Sequence, residues 1–178
     1  MSIMAEAATA TRQDAPPVRR ERDSRFIVSV GDEAPTFQFV SNDGDTIDSD
    51  ILRGQAVVIL FAASWCPFSQ AQLIDMQNAI WDKYKMRQDF SMVIICEDTE
   101  EDHAIFLRQR KENGIRVPFA FDTNETIYRL FATPNGSVTR TVVITPDWRI
   151  AELHDKHTRQ SIRKVRRCVR HLLSGIKQ

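Results

Sequence analysis

The feature that most constrains the fold is AVVILFAASWCPFSQAQLIDM, where an unbroken apolar run passes directly into a helical pattern. Residues 56–63 carry no polar side chain, so they predict a central strand buried on both faces. From Pro67 onward the apolar positions Leu73, Met76, Ile80, Trp81 and Tyr84 recur three or four apart, which predicts a helix starting almost at Cys66. A strand that turns straight into a helix needs a covered sheet, so the chain reads as α/β.

The rest of the chain supplies the other layers. FQFVSNDGDTIDSDIL reads as an N-terminal hairpin around an Asn-Asp-Gly-Asp turn. FSMVIICED and VPFAFD read as a second and third strand, and TEEDHAIFLRQRKENG as a helix with Thr99 as cap and Gly114 as stop. TNETIYRLFATP predicts another helix, RTVVITPDWRIAELHD two strands joined at a Pro-Asp turn, and SIRKVRRCVRHLLSGI a last helix. The expected fold is a mixed central sheet flanked by helices on both faces, with a hairpin extension. Residues 1–25 mix Ala, Thr, Pro and charges without periodicity and read as a flexible tail. Residues 26–178 form the single domain that 178 residues suggest.

Charge and cysteine content exclude several classes. Lys plus Arg and Asp plus Glu both total 24, so net charge points to neither nucleic acid nor membrane. Arg159, Arg163, Lys164, Arg166, Arg167, Arg170 and Lys177 make the C-terminal end basic, but without interleaved aromatics they read as a solvated face. No apolar run nears the about 20 residues that span a bilayer, and no signal-peptide h-region opens the chain, so a cytoplasmic location is expected if the given start is native. The four histidines, His154 and His157 included, lack metal-ligand spacing, and no cofactor or metal is expected. Three widely spaced cysteines form neither a disulfide framework nor a zinc pattern.

Cys66 is the candidate nucleophile. A cysteine at a helix N-terminus is held as thiolate by unpaired N–H groups and the helix dipole. Pro67 suits the first turn, where its missing N–H costs nothing, and Trp65 is expected to wall one side of an exposed thiol. Cys96, near the end of the neighbouring strand, reads as core, with a resolving role as the alternative. Cys168 shares an apolar stripe with Ile162, Val165, Leu172 and Leu173 and reads as packing.

The pieces GDEAPTFQF, VVILFAASWCPFS, VPFAFDTNETIYRLF and VVITPDWRI, in this order from about Gly31 to the end, resemble the redoxin branch of the thioredoxin fold. The resemblance is to TlpA/ResA-like thiol-disulfide reductases, which are related to AhpC/TSA peroxiredoxins and are often exported. In that family the motif is W-C-x-x-C, which places the attacking cysteine at Cys66 and the resolving one at Ser69. The resemblance thus implies a monothiol CxxS site exchanging with protein or low-molecular-weight thiols and disulfides, with Ser69 donating to the thiolate. The family's cis-proline falls on Thr139, and its acidic residue on Asp98. The run Glu97, Asp98, Glu100, Glu101 and Asp102 reads first as a solvated acidic loop, with proton transfer by Asp98 as the alternative. A one-cysteine peroxidase is the runner-up: the peroxiredoxin P-x-x-x-T-x-x-C positions hold Ile59 and Ala63, and Arg140 lies one residue out of register from the family arginine. The third reading is a redox-inactive binding module. Substrate, reductant and oligomeric state stay open.

Overall fold

The computed structural model describes residues 25–134 and 136–175; the expected tail, residues 1–25, lies outside them except for Arg25. β3, Ala56–Ala62, has every residue buried because it is hydrogen-bonded on both edges and covered on both faces. It runs parallel to β4 (Phe90–Cys96) and antiparallel to β6 (Arg140–Ile144). β5 (Phe119–Phe121) and β7 (Ile150–His154) complete a mixed sheet in the order β5-β4-β3-β6-β7. A separate hairpin pairs β1 (Gln38–Val40) with β2 (Thr46–Asp48). Its Ser41–Asp45 turn places Gly44 at φ 86°, a conformation that glycine adopts without a Cβ penalty.

The alternation of β3 divides the core. Val58, Leu60 and Ala62 face one layer, where they meet Leu73 and Met76 of α1 (Pro67–Met76), Phe106 of α3 (His103–Glu112) and Val165, Val169 and Leu173 of α5 (Arg159–Gly175). Val57, Ile59 and Phe61 face the other, with Phe26, Phe37, Phe39, Tyr128, Phe131 and Trp148. Each large apolar side chain withdrawn from water in these layers contributes about 1.5–3 kcal/mol. After α1 the chain passes through a π-turn, Gln77–Trp81, into the single turn α2, Asp82–Tyr84.

Helices flank both faces as expected, but unequally. The helix expected in TNETIYRLFATP is one turn, α4 (Tyr128–Phe131), capped by Asp122 Oδ2, which accepts from the Ile127 and Tyr128 N–H groups at 2.9 Å. Most of that face is covered instead by the hairpin and the segment holding Phe26, Val28 and Phe37. Thr99 opens a 3₁₀ turn, Glu100–Asp102, ahead of α3, and its hydroxyl donates to Asp102 Oδ2 rather than accepting from a helix N–H. Gly114, at φ 62°, stands just beyond the end of α3, as its place in the sequence suggests. Among the described residues no helix is long and apolar enough to cross a membrane.

Candidate active site

β3 ends at Ala62 and α1 begins at Pro67, so Cys66 caps the helix with extended dihedrals, φ −100° and ψ 111°. Its carbonyl accepts from Ser69 N–H at 3.0 Å and from Gln70 N–H at 3.3 Å, the first bonds of the helix. Pro67 fills the first helical position at no hydrogen-bonding cost. The chain thereby sets the Cys66 side chain beside the N-terminal turn of α1.

β6 supplies the other wall. Thr139, directly before it, has its Oγ1 3.3 Å from Cys66 Sγ and 2.8 Å from Ser69 Oγ. Ser69 Oγ also accepts from Ala63 N–H at 3.2 Å, so the two hydroxyls and the thiol form one connected network. Burial, the largest single influence on the Cys66 thiol, pushes its pKa up. Hydrogen bonds from the Thr139 hydroxyl, the Ser69 N–H and hydroxyl, and the Phe68 N–H together outweigh burial, leaving the thiol below its ordinary range. The network supports a stabilised thiolate, the species that attacks disulfides.

Residues 30–153 match the AhpC/TSA family. The chain belongs to that family. The match spans most of the chain and includes every element that builds the thiol site. Within this AhpC/TSA protein, similarity extends to the thiol-disulfide oxidoreductase ResA of Bacillus thuringiensis, 25% identical over 125 residues that cover 70% of this chain and 69% of the relative. ResA of Oceanobacillus iheyensis is 28% identical over 140 residues, covering 76% and 70%. The solution structure of a proposed protein disulfide isomerase from Bacteroides thetaiotaomicron superposes with a TM-score of 0.79 at 26% identity, over 84% of this chain and 93% of that one. The fold is thioredoxin-like, of the redoxin type related to TlpA and ResA.

Several site expectations for this AhpC/TSA chain need correction. Cys66 is 8% exposed rather than open, because Thr139 and Val138 lie over it. Trp65 and Phe68 extend into solvent, 65% and 69% exposed, so Trp65 flanks the site as open apolar surface rather than packing down as a wall. Asp98 is not part of a solvated loop: it is wholly buried, and its Oδ1 accepts from Ser64 N–H at 2.8 Å. Glu97 is partly buried, its carboxyl pushed up to about 9 by burial first and then by Glu125, Asp122 and Asp98, against the opposing pull of Arg140.

Arg140 follows Thr139 by one residue and therefore points to the opposite face of the sheet. Its guanidinium is buried between the rings of Phe26 and Tyr128, and its Nε donates to the Tyr128 hydroxyl at 2.9 Å. Ile59 and Ala63 are apolar and fully buried. The peroxide-polarising groups expected of a peroxiredoxin are thus not assembled around Cys66 by these three positions. Cys96 is fully buried, with a thiol pushed far up, first by burial; Cys168 is half-buried and pushed up to about 11, first by burial and then by Glu152. All three cysteines are unpaired.

Gln72 is the site residue that sequence reasoning missed. It is buried on α1, and its Nε2 donates to Arg140 O at 3.0 Å and to Thr141 Oγ1 at 2.9 Å, pinning the active-site helix to β6. The available signal was a polar residue next to Leu73 and three positions after Ser69, on the face of the helix that also buries Met76. Among the described residues, no group of three or more His, Cys, Asp or Glu side chains is placed to hold a metal.

The geometry predicts an order of reactivity. Brief iodoacetamide treatment at pH 7 is expected to label Cys66 ahead of Cys168 and Cys96, and Thr139→Val to slow Cys66 labelling several-fold, through loss of the hydrogen bond that holds the thiol's pKa down. Peptide mass spectrometry reads both effects, and labelling of Cys168 first would refute the assignment.

Proposed function

We propose that this protein carries out thiol-disulfide exchange through Cys66 alone, by way of a mixed disulfide that an external thiol resolves. Cys66 thiolate attacks one sulfur of a substrate disulfide, forming a Cys66–substrate disulfide and releasing the other sulfur as thiolate. An external thiolate then attacks the substrate sulfur of that bond, freeing Cys66 and leaving the substrate joined to the external thiol. A second external thiolate completes the reduction: two electrons pass to the substrate disulfide, and two external thiols become one disulfide.

The observation that carries this reading is Ser69. It is wholly buried, is bound to Thr139 and Ala63, and stands three residues after Cys66, where ResA-like proteins carry the resolving cysteine; its hydroxyl can support a thiolate but forms no disulfide. The ResA similarity supports disulfide substrates, and exposed Trp65 and Phe68 give a peptide substrate apolar surface beside the thiol. Arg140 on the opposite face of the sheet weighs against the peroxidase reading.

Incubating the reduced protein with excess glutathione disulfide tests the proposal. A single glutathionyl adduct on Cys66, persistent until fresh thiol is added and missing in Cys66→Ser, is expected by intact mass. A folded wild type that forms no adduct would overturn the proposal. Rapid loss of the adduct into an internal disulfide would overturn the monothiol mechanism.

A further inference from the structure

The turn that carries Cys66 is clamped from outside its own strand and helix. β3 makes its last ladder contact where Ala62 O accepts from Glu97 N–H at 3.0 Å, which leaves the Ser64 peptide with no strand partner. Ser64 is nonetheless 5% exposed, so its N–H and C=O both require partners. Asp98 Oδ1 accepts from Ser64 N–H at 2.8 Å from 34 residues away, and Gln109 Nε2 of α3 donates to Ser64 O at 3.1 Å from 45 residues away. The remaining oxygens of both side chains, Asp98 Oδ2 and Gln109 Oε1, are buried without a hydrogen-bond partner. A buried acceptor left in that condition is costly, so the bond each side chain makes to Ser64 is its main compensation.

Ser64 lies two residues before Cys66, and among the described residues the intervening chain is held by one weak turn bond, Cys66 N–H to Ala63 O at 3.3 Å. We infer that Asp98 and Gln109 are positioning residues that grip the Ser64 peptide from both sides and so hold the Cys66 sulfur against the first-turn amides of α1 and the Thr139 hydroxyl. The inference deepens the proposed exchange activity and rests on Cys66 being its nucleophile. Neither residue touches the sulfur; they act by fixing where the turn places it. Hydrogen-bond strength falls steeply with misplacement, so a small shift of this turn weakens every bond to the sulfur together.

The test compares Asp98→Asn, Asp98→Ala, Gln109→Ala and the Asp98→Ala/Gln109→Ala double variant, all carrying Cys168→Ser and keeping Cys96, whose thiol lies against Asp98 and is pushed far up by burial. Thiolate absorbance at 240 nm against pH reads the Cys66 titration, and thermal melting reads the fold. Both Asp98 variants remove the charge, but only alanine removes the acceptor. Asp98→Ala and Gln109→Ala are each expected to shift the Cys66 titration upward and lower its thiolate fraction at pH 7 by about three- to tenfold, with the double variant less than additive. Asp98→Asn is expected to stay near wild type. Lowered melting temperatures with an unmoved Cys66 titration would overturn the inference, as would equal shifts in Asp98→Asn and Asp98→Ala. If Asp98→Ala fails to fold, charge-neutral Gln109→Ala decides alone. The titration needs no substrate, so wild type that forms no glutathione adduct but responds as expected here would sink the exchange reading and leave the clamp standing.

Discussion

Ser69→Cys is expected to convert the protein into a dithiol reductase. In the insulin precipitation assay with dithiothreitol, the variant should outpace wild type by about 10²-fold or more, because a thiol in the same helical turn reacts at an effective concentration far above that of any external thiol. The substitution places sulfur where the Ser69 hydroxyl now sits, three residues after Cys66 and within the Thr139 network. It weakens the two bonds of the Ser69 hydroxyl, to Ala63 N–H and Thr139, a loss of about 1–3 kcal/mol. Oxidised variant should contain a disulfide between Cys66 and the introduced cysteine by peptide mapping. Wild type that reduces insulin as fast as the variant would mean that another cysteine already resolves the mixed disulfide, and Cys96 would be the residue to mutate next.

Glu97→Gln is expected to stabilise the protein, and more so at higher pH. In the unfolded chain a glutamate ionises at about 4.3, whereas burial pushes the folded Glu97 carboxyl up to about 9. Between those values the native state holds a proton that the unfolded state has lost. The contribution of Glu97 to stability is therefore fully present below about pH 4 and is lost as pH rises toward 9. A glutamine cannot ionise and escapes this loss. Because Glu97 is only partly buried and Arg140 opposes the shift, the expected gain at pH 8 is discounted to about 1–3 kcal/mol. Urea titrations at pH 5 and pH 8 measure it. A difference between variant and wild type that is the same at both values would show that Glu97 ionises normally.

What local spacing encodes was legible without coordinates. An eight-residue apolar run has to be a covered strand, a proline after Cys66 has to sit in the first helical turn, and the cysteine thereby stands at the N-terminus of the helix. The resemblance to ResA-like proteins also singled out Thr139, as the residue at the family's cis-proline position, and the structure puts its hydroxyl on the Cys66 sulfur. Long-range packing decided the rest. Asp98 belongs to an acidic run that looks solvated in one dimension, and only the Ser64 peptide arriving from 34 residues away makes it a buried anchor. One residue of register separates Thr139, on the sulfur, from Arg140, in the opposite layer, because successive strand side chains point to opposite faces. Sequence by itself determined where the thiol would stand and what local amides it would meet; tertiary structure decided its exposure and its distant neighbours, since burial depends on what the rest of the chain lays over a residue.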